Sequence, residues 1–399
     1  VSAPDAVPAL VIGAGPAGLM AAETLAGAGH PVVIADAMPS PARKFLMAGK
    51  SGLNLTKAED PAAFAARITG SAAPHVQAAL MDFGPDQVAE WAEGLGITLF
   101  RGSTGRVFPV GMKASPLLRA WLARLESRGA VLRRRWRWTG WLDGGARFET
   151  PEGPRVISAG VTVLALGGAS WPRLGSDGAW INVLAGAAVP ITPLAPANMG
   201  FRVDWHPAMA RQFGQPVKGT ALRAGTLASR GEWVITPAGI EGGAIYEIAA
   251  ALRAGAGGTV DLAPDVDTGA LAARFGKSRG SLSLGNWLRR CLGDPVKVAL
   301  LLEWGGPAPT ASPADWAARA KALPLRHAGP LGLARAISSA GGIAGHGLGP
   351  GFALTALRGT YAAGEMLDWE APTGGYLLSA CLATGRAAGL AAAAELARA

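Results

Sequence analysis

The first legible pattern is an unbroken apolar run at residues 9–12, with no polar position to mark a wet face. Such a run suits a strand buried on both sides, as in a parallel sheet. It leads into Gly13, Gly15 and Gly18 in the spacing G-x-G-x-x-G, then an Ala-rich helical stretch to about Ala28, a stop at Gly29, and a second apolar run at 32–35. A complete βαβ unit is predicted. Further on, "VTVLALGGASWPRLGSDG" reads as another buried strand ending in Gly167-Gly168, and "GTYAAGEMLDWEAPTGGYLLSACLATGRAAG" as a strand, a glycine turn and a last helix.

The glycines carry chemistry because of where they fall. Gly13 permits a tight turn, Gly15 lets backbone approach a pyrophosphate, and Gly18 lets helix and sheet pack closely. With Ala14, Pro16 and Ala17 they set a helix N-terminus, whose N–H groups and positive dipole favour phosphate. Asp36, followed by Ala37, ends the second strand where a carboxylate reaches ribose hydroxyls. Its charge disfavours a 2′-phosphate, so the motif admits FAD and NAD alike over NADP. The loop 42–56, with Lys44, Gly49, Gly52 and Asn54, suits wrapping the middle of such a cofactor.

From about 190 to 330 this rhythm stops. Short strand-like runs such as "GEWVITP" and helical stretches such as "LGNWLRRCLGDPVKVALLLEW" predict an inserted β-rich domain, 191–335, with a helical subdomain at about 265–325. The nucleotide domain is then 1–190 plus 336–399. "VLRRRWRWTGW" alternates so that Arg133, Arg135 and Arg137 share one face of a single strand, a solvated outer edge or a clamp for nucleic acid. Two Gly-Lys-Ser runs, at 49–51 and 276–278, lack the earlier glycine of a P-loop, Lys44 and Leu271 standing there instead.

Composition narrows the classes. Half of the 399 residues are hydrophobic and 16% charged, as in a globular enzyme. Cys291 and Cys381 are far apart and the five histidines never approach ligand spacing, so neither disulfide framework nor metal is expected. Apolar stretches are broken by Gly, Pro or charge before the ~18 residues of a membrane span, Arg386 and Glu395 interrupting the last one. A cytoplasmic protein is expected. The net charge of +9 raises a polyanionic partner.

These motifs, with "RVFPVGMKAS" at 106–115 and "SAGGI" at 339–343, follow the order of a known family. The chain resembles the bacterial BaiN/RdsA-type (YhiN-like) flavoproteins of the glutathione-reductase-like FAD superfamily over nearly its whole length. That resemblance implies an α/β Rossmann-like FAD domain with an inserted substrate domain, and FAD as cofactor. It implies that Gly374 and Gly375 lie against the flavin, with the final helix N-terminus facing the ring edge that turns anionic on reduction. It further implies Asp368 at the ribityl or phosphate, Gly364 and Glu365 in the same turn, Ala165 and Gly167 at the adenine and pyrophosphate, and Trp138 by the adenine. Where family members read Gly-Gly-Gly-Arg-Cys-Asn, this chain has "AGKSGLN", so Leu53 replaces a cysteine and Gly52 an arginine. A sub-branch of unassigned function is implied.

The resemblance further implies reduction of an activated C=C bond by hydride from reduced flavin N5, with a small enone or a uracil in rRNA as substrate. Tyr376, Lys50 and His346 are candidate proton donors. NAD(P)H is expected to bind transiently, since only one dinucleotide motif is legible. A non-catalytic flavin sensor and an FAD oxidase or monooxygenase stand as alternatives.

Overall fold

In the computed structural model, which describes residues 5–50, 52–308 and 310–398, the first strand is longer than its apolar run. Ser51, in the first Gly-Lys-Ser run, lies outside the described residues, as do residues 1–4 at the chain start. Strand β1 is Asp5–Ile12, exposed at its start and fully buried from Ala9 onward. It is followed by α1, Pro16–Gly27, and β2, Val32–Asp36. The chain divides into two compact units, one ending at Ala195 and resuming at Ser338, the other Pro196–Ile337.

The first unit is built on a seven-stranded sheet. Its other strands are β3 (Val131–Arg134), β4 (Arg137–Leu142), β5 (Gly145–Glu149), β6 (Arg155–Leu164) and β7 (Thr360–Ala362). The order is β3-β2-β1-β6-β5-β4, with β7 also on β6. Strands β3, β2, β1, β6 and β7 are parallel neighbours, Ile12 facing both Ala35 and Leu164. The long β6 gives the first part of its outer edge to antiparallel β5 and the last part to β7. Between β1 and β6 the connections leave in opposite directions, the place where doubly wound sheets open a crevice at the strand ends.

The predicted single strand at 131–141 is two strands instead. Arg135 takes a left-handed φ of 61°, which ends β3 and turns the chain, so the three arginines do not share one face. The turn brings Trp136 and Trp138 inward.

The final helix, α2 (Tyr376–Leu396), lies along α1. A Cβ at Gly385 would meet the Ala17 carbonyl oxygen at 2.2 Å, and one at Gly389 the Ala21 oxygen at 2.8 Å. Both contacts advance by four residues in the same sense, so the helices run parallel with backbones nearly touching. Gly385, level with Ala17, is nine residues into α2 and Ala17 one residue into α1, so at 1.5 Å rise per residue α2 starts about 12 Å before the start of α1 along their common direction. By length and a mean hydropathy of 1.4 this helix could also cross a membrane, against the expectation that its charges break it. Here more than half of it is buried, Glu395 accepts the Tyr361 hydroxyl, and Arg386 lies over the Phe83 ring.

The second unit holds two four-stranded sheets. Helices Gly243–Arg253, Thr268–Phe275, Leu284–Leu292, Pro295–Gly305 and Pro313–Lys321 pack with them around a core that includes Trp233, Trp304 and Trp316.

Alanine at an unconstrained helix position stabilises by about 1 kcal/mol over glycine, but at Gly385 the clash dominates. The Gly385→Ala protein is expected to lose about 1–3 kcal/mol in denaturant unfolding. An unchanged or raised midpoint would show that the helices are not in backbone contact.

Candidate cofactor site

A cleft of roughly 840 Å³, counting its open mouth, sits at the C-terminal ends of β1, β2 and β6. Its floor follows from the glycine motif. Gly13, at φ 102°, is pressed on the Ala165 carbonyl, where a Cβ would stand 2.2 Å from the oxygen. Gly18 is similarly closed against Gly13 itself, at 1.9 Å. Gly15 differs, because nothing lies within 4 Å of its Cβ position and its φ of −80° suits any residue. Its bareness is not required by packing, only by what occupies the cleft. The first-turn N–H groups of α1 have no carbonyl partners within the helix, and no side chain caps them.

Asp36 lines the same cleft with both oxygens engaged, Oδ2 accepting the Ala14 N–H at 2.7 Å and Oδ1 the Met38 N–H at 2.7 Å. Burial pushes its carboxyl above the usual value, against these two bonds and Arg43. Each oxygen keeps a lone pair for a hydroxyl donor. Three buried polar atoms on the walls have no partner: Arg43 Nε, Trp138 Nε1 and Ser176 Oγ. Buried polar groups are normally paired, so an adenosine diphosphate with its many acceptors and donors fits this lining. Of these, Trp138 was expected by its backbone, while Arg43 and Ser176 carry no sequence signal beyond their loops.

Most predicted contacts do line the cleft: Gly13, Gly15, Pro16, Ala17, Asp36, Ala37, Lys44, Trp138, Ala165, Gly167, Gly364 and Glu365. Lys44 is held there by Glu365 at 2.6 Å and Ser170 at 2.5 Å, and Glu365 also accepts the Ser339 N–H at 2.9 Å. The Trp369 indole and the Thr384 hydroxyl fix Gly364 from behind. Cys381 joins the lining, its thiol pushed up to about 12 by burial and by Glu365, so it stays neutral.

Other predicted residues stand outside this lining. Asp368 does not line the cleft: its Oδ2 accepts from the Ser71 hydroxyl at 2.6 Å and the Thr192 hydroxyl at 2.8 Å, so a buried carboxylate ties three segments together. Gly49 is packed on Ala114. Lys50 and His346 are exposed side chains away from the lining, His346 on a short turn at Gly345–Gly347. Gly375, at φ 103°, is bare to admit Thr56, whose backbone carbon would be 2.5 Å from its Cβ. Gly374, at φ 120°, instead faces Arg106.

Tyr376 opens α2 and sits in a cluster that its own motif did not announce. Its hydroxyl donates to Glu59 at 2.5 Å and accepts from Lys57 at 3.0 Å, while Lys57 and Glu59 pair at 2.8 Å. The ring packs on Phe64 at 4.4 Å. Burial, then Glu59, raise the phenol above its usual value, outweighing Lys57. Burial would raise Glu59, but Lys57 and Tyr376 hold it below the ordinary range, while Glu59 and Tyr376 raise Lys57 against its own burial. Close by in sequence, Asn54 keeps a buried Oδ1 with no partner.

Comparison with known proteins places these features in company. The family described as "HI0933-like protein Rossmann domain" matches residues 7–391. A "3-dehydro-bile acid delta(4,6)-reductase" of Clostridium scindens is 27% identical, covering 96% of this chain and 98% of its own. A flavocytochrome c3 fumarate reductase superposes with a TM-score of 0.51 at 17% identity, covering 99% of this chain and 79% of its own. A 3-ketosteroid-delta4-(5alpha)-dehydrogenase from Rhodococcus jostii RHA1 does so at 0.51 and 15%, covering 98% of both chains. At such identities these two structures show a shared fold.

Gly15→Val is expected to melt like the wild type without cofactor yet to retain FAD at least about tenfold more weakly, as a side chain enters the phosphate space. Flavin released on dialysis measures it, and full retention would mean the phosphates lie elsewhere. A second expectation concerns pH. Because Glu59 is held below its ordinary value, its contribution is present above about pH 4.3 and is lost as pH falls through the folded value. The melting advantage of wild type over Glu59→Gln therefore closes on acidification, and an advantage independent of pH would exclude the ion pair as its source.

Proposed function

The chain belongs to the HI0933-like family of Rossmann-type FAD flavoproteins, and on that premise we propose that it reduces a C=C bond conjugated to a carbonyl, drawing electrons from NAD(P)H. The observation that carries this reading is the Tyr376–Glu59–Lys57 cluster at the start of the last helix, a buffered proton source beside a helix terminus. The bile-acid reductase among the relatives has chemistry of this class by its name. Bound FAD supplies the reducing equivalents.

The chain's own residues do the rest. Gly15 and the first turn of α1 would hold the diphosphate and Asp36 the ribose, while Lys44 pairs with Glu365 in the same lining. The first turn of α2 presents uncapped N–H groups and positive dipole that favour negative charge gained on reduction. Tyr376 holds its proton at neutral pH, since its phenol is raised, and gives it to the carbon beside the one reduced. Lys57, donating to the same hydroxyl, steadies the phenolate and returns a proton; Glu59 orients both. A reductase needs this supply because the saturated product carries one more proton than the enolate.

Anaerobic NADH or NADPH is expected to bleach the visible flavin absorbance, and an enone to restore it. Tyr376→Phe should leave bleaching intact and slow reoxidation by enone roughly 10²–10⁴-fold, with KM little changed. Flavin that stays oxidised with every donor, or enone turnover indifferent to Tyr376, overturns the proposal.

A further inference from the structure

The positive charge of this chain is not spread evenly. Residues 268–293 carry Arg274, Lys277, Arg279, Arg289 and Arg290 and no Asp or Glu, more than half of the net surplus of nine. Helices Thr268–Phe275 and Leu284–Leu292 and the loop joining them contain this stretch. Arg274, Lys277 and Arg290 line one cleft of roughly 660 Å³, open to solvent, together with Trp287, Cys291 and Leu292.

The cleft has a fixed frame. The Trp287 indole donates to the Lys277 carbonyl at 3.0 Å, and the Cys291 thiol to the Arg274 carbonyl at 3.3 Å, so the loop and both helices are tied at the cleft wall. Trp287 in turn packs against Phe275 at 5.7 Å and Trp316 at 6.1 Å, an apolar floor that does not yield. Burial raises the Cys291 thiol, and Arg290, Lys277 and Arg274 all pull it down, as expected of three cations converging on that spot.

Helix dipoles account for part of this charge, since Arg274 and Arg289–Arg290 stand in last turns. They do not account for Lys277 or Arg279, which lie in the loop. Nor do carboxylates: among the described residues, none of the three cleft cations forms an ion pair. Like charges facing one cleft repel until an anion enters it, and a guanidinium fork matches the oxygens of a phosphate.

We propose that this cleft of the inserted unit is a phosphate-binding site, in which Arg274, Lys277 and Arg290 hold the phosphoryl group of a nucleotide or of a nucleic-acid backbone. It lies wholly within the second unit and uses no residue of the cofactor cleft, so it stands independently of the flavin reading.

Calorimetric titration of the FAD-loaded protein with sodium pyrophosphate, with NADP⁺ and with a single-stranded RNA oligomer tests it. At least one probe is expected to bind, and the Arg274→Gln/Arg290→Gln protein to bind that probe at least about tenfold more weakly. For RNA, three phosphate contacts predict a loss of about 20-fold in affinity between 50 and 200 mM salt, and Lys277→Gln a slope lower by about 0.7. RNA binding displaced by pyrophosphate identifies a polymer backbone, whereas pyrophosphate or NADP⁺ binding without RNA binding identifies a free nucleotide. Binding by none of the three, or undiminished binding by the double variant, overturns the site. Should the double variant fail to fold, Lys277→Gln, in an exposed loop, decides alone.

Discussion

The contact on which the first unit depends is the backbone-to-backbone meeting of α1 and α2. Glycines at 385 and 389 let the last helix settle on Ala17 and Ala21 with no side chain between. Because the contact is parallel, two helix N-termini point the same way, set off by about 12 Å along the axis. One faces the cleft at the sheet's switch point; the other opens on Tyr376. Each of these helix ends carries a positive dipole that favours an anion set against it.

Around that pair, polar groups are spent on holding loops rather than on the ligand alone. Asp36 fixes the turn after β1 and the loop after β2 through two N–H groups while still facing the cleft. Glu365 gathers Lys44 and Ser339, with Ser170 bound to the same ammonium. Asp368 does a similar task away from the cleft, with Ser71 and Thr192. A carboxylate buried in such a place is expensive unless several donors meet it, which explains why segments distant in sequence converge on each one. The buried atoms left without partners on Arg43, Trp138 and Ser176 are then conspicuous, for all three residues line the cleft.

The second unit follows a different plan, with short antiparallel strands and a tryptophan-rich core. Its charge is concentrated on one helix pair rather than distributed for solubility.

By itself the sequence determined the βαβ unit, its G-x-G-x-x-G turn, Asp36, and the strands that lead to Gly167 and Gly364, because each rests on local rules: unbroken apolar runs, glycine geometry, distance along the chain. The family and its Rossmann architecture were legible from the same short runs. Tertiary structure alone decided that Gly375 is bare for Thr56, that Asp368 is a structural tie, that 131–141 breaks at Arg135, and that Tyr376 meets Lys57 and Glu59 from some 320 residues earlier. Those outcomes turn on which distant segments meet, and a buried donor or carboxylate takes whichever partner the packing brings, a choice that no local pattern encodes.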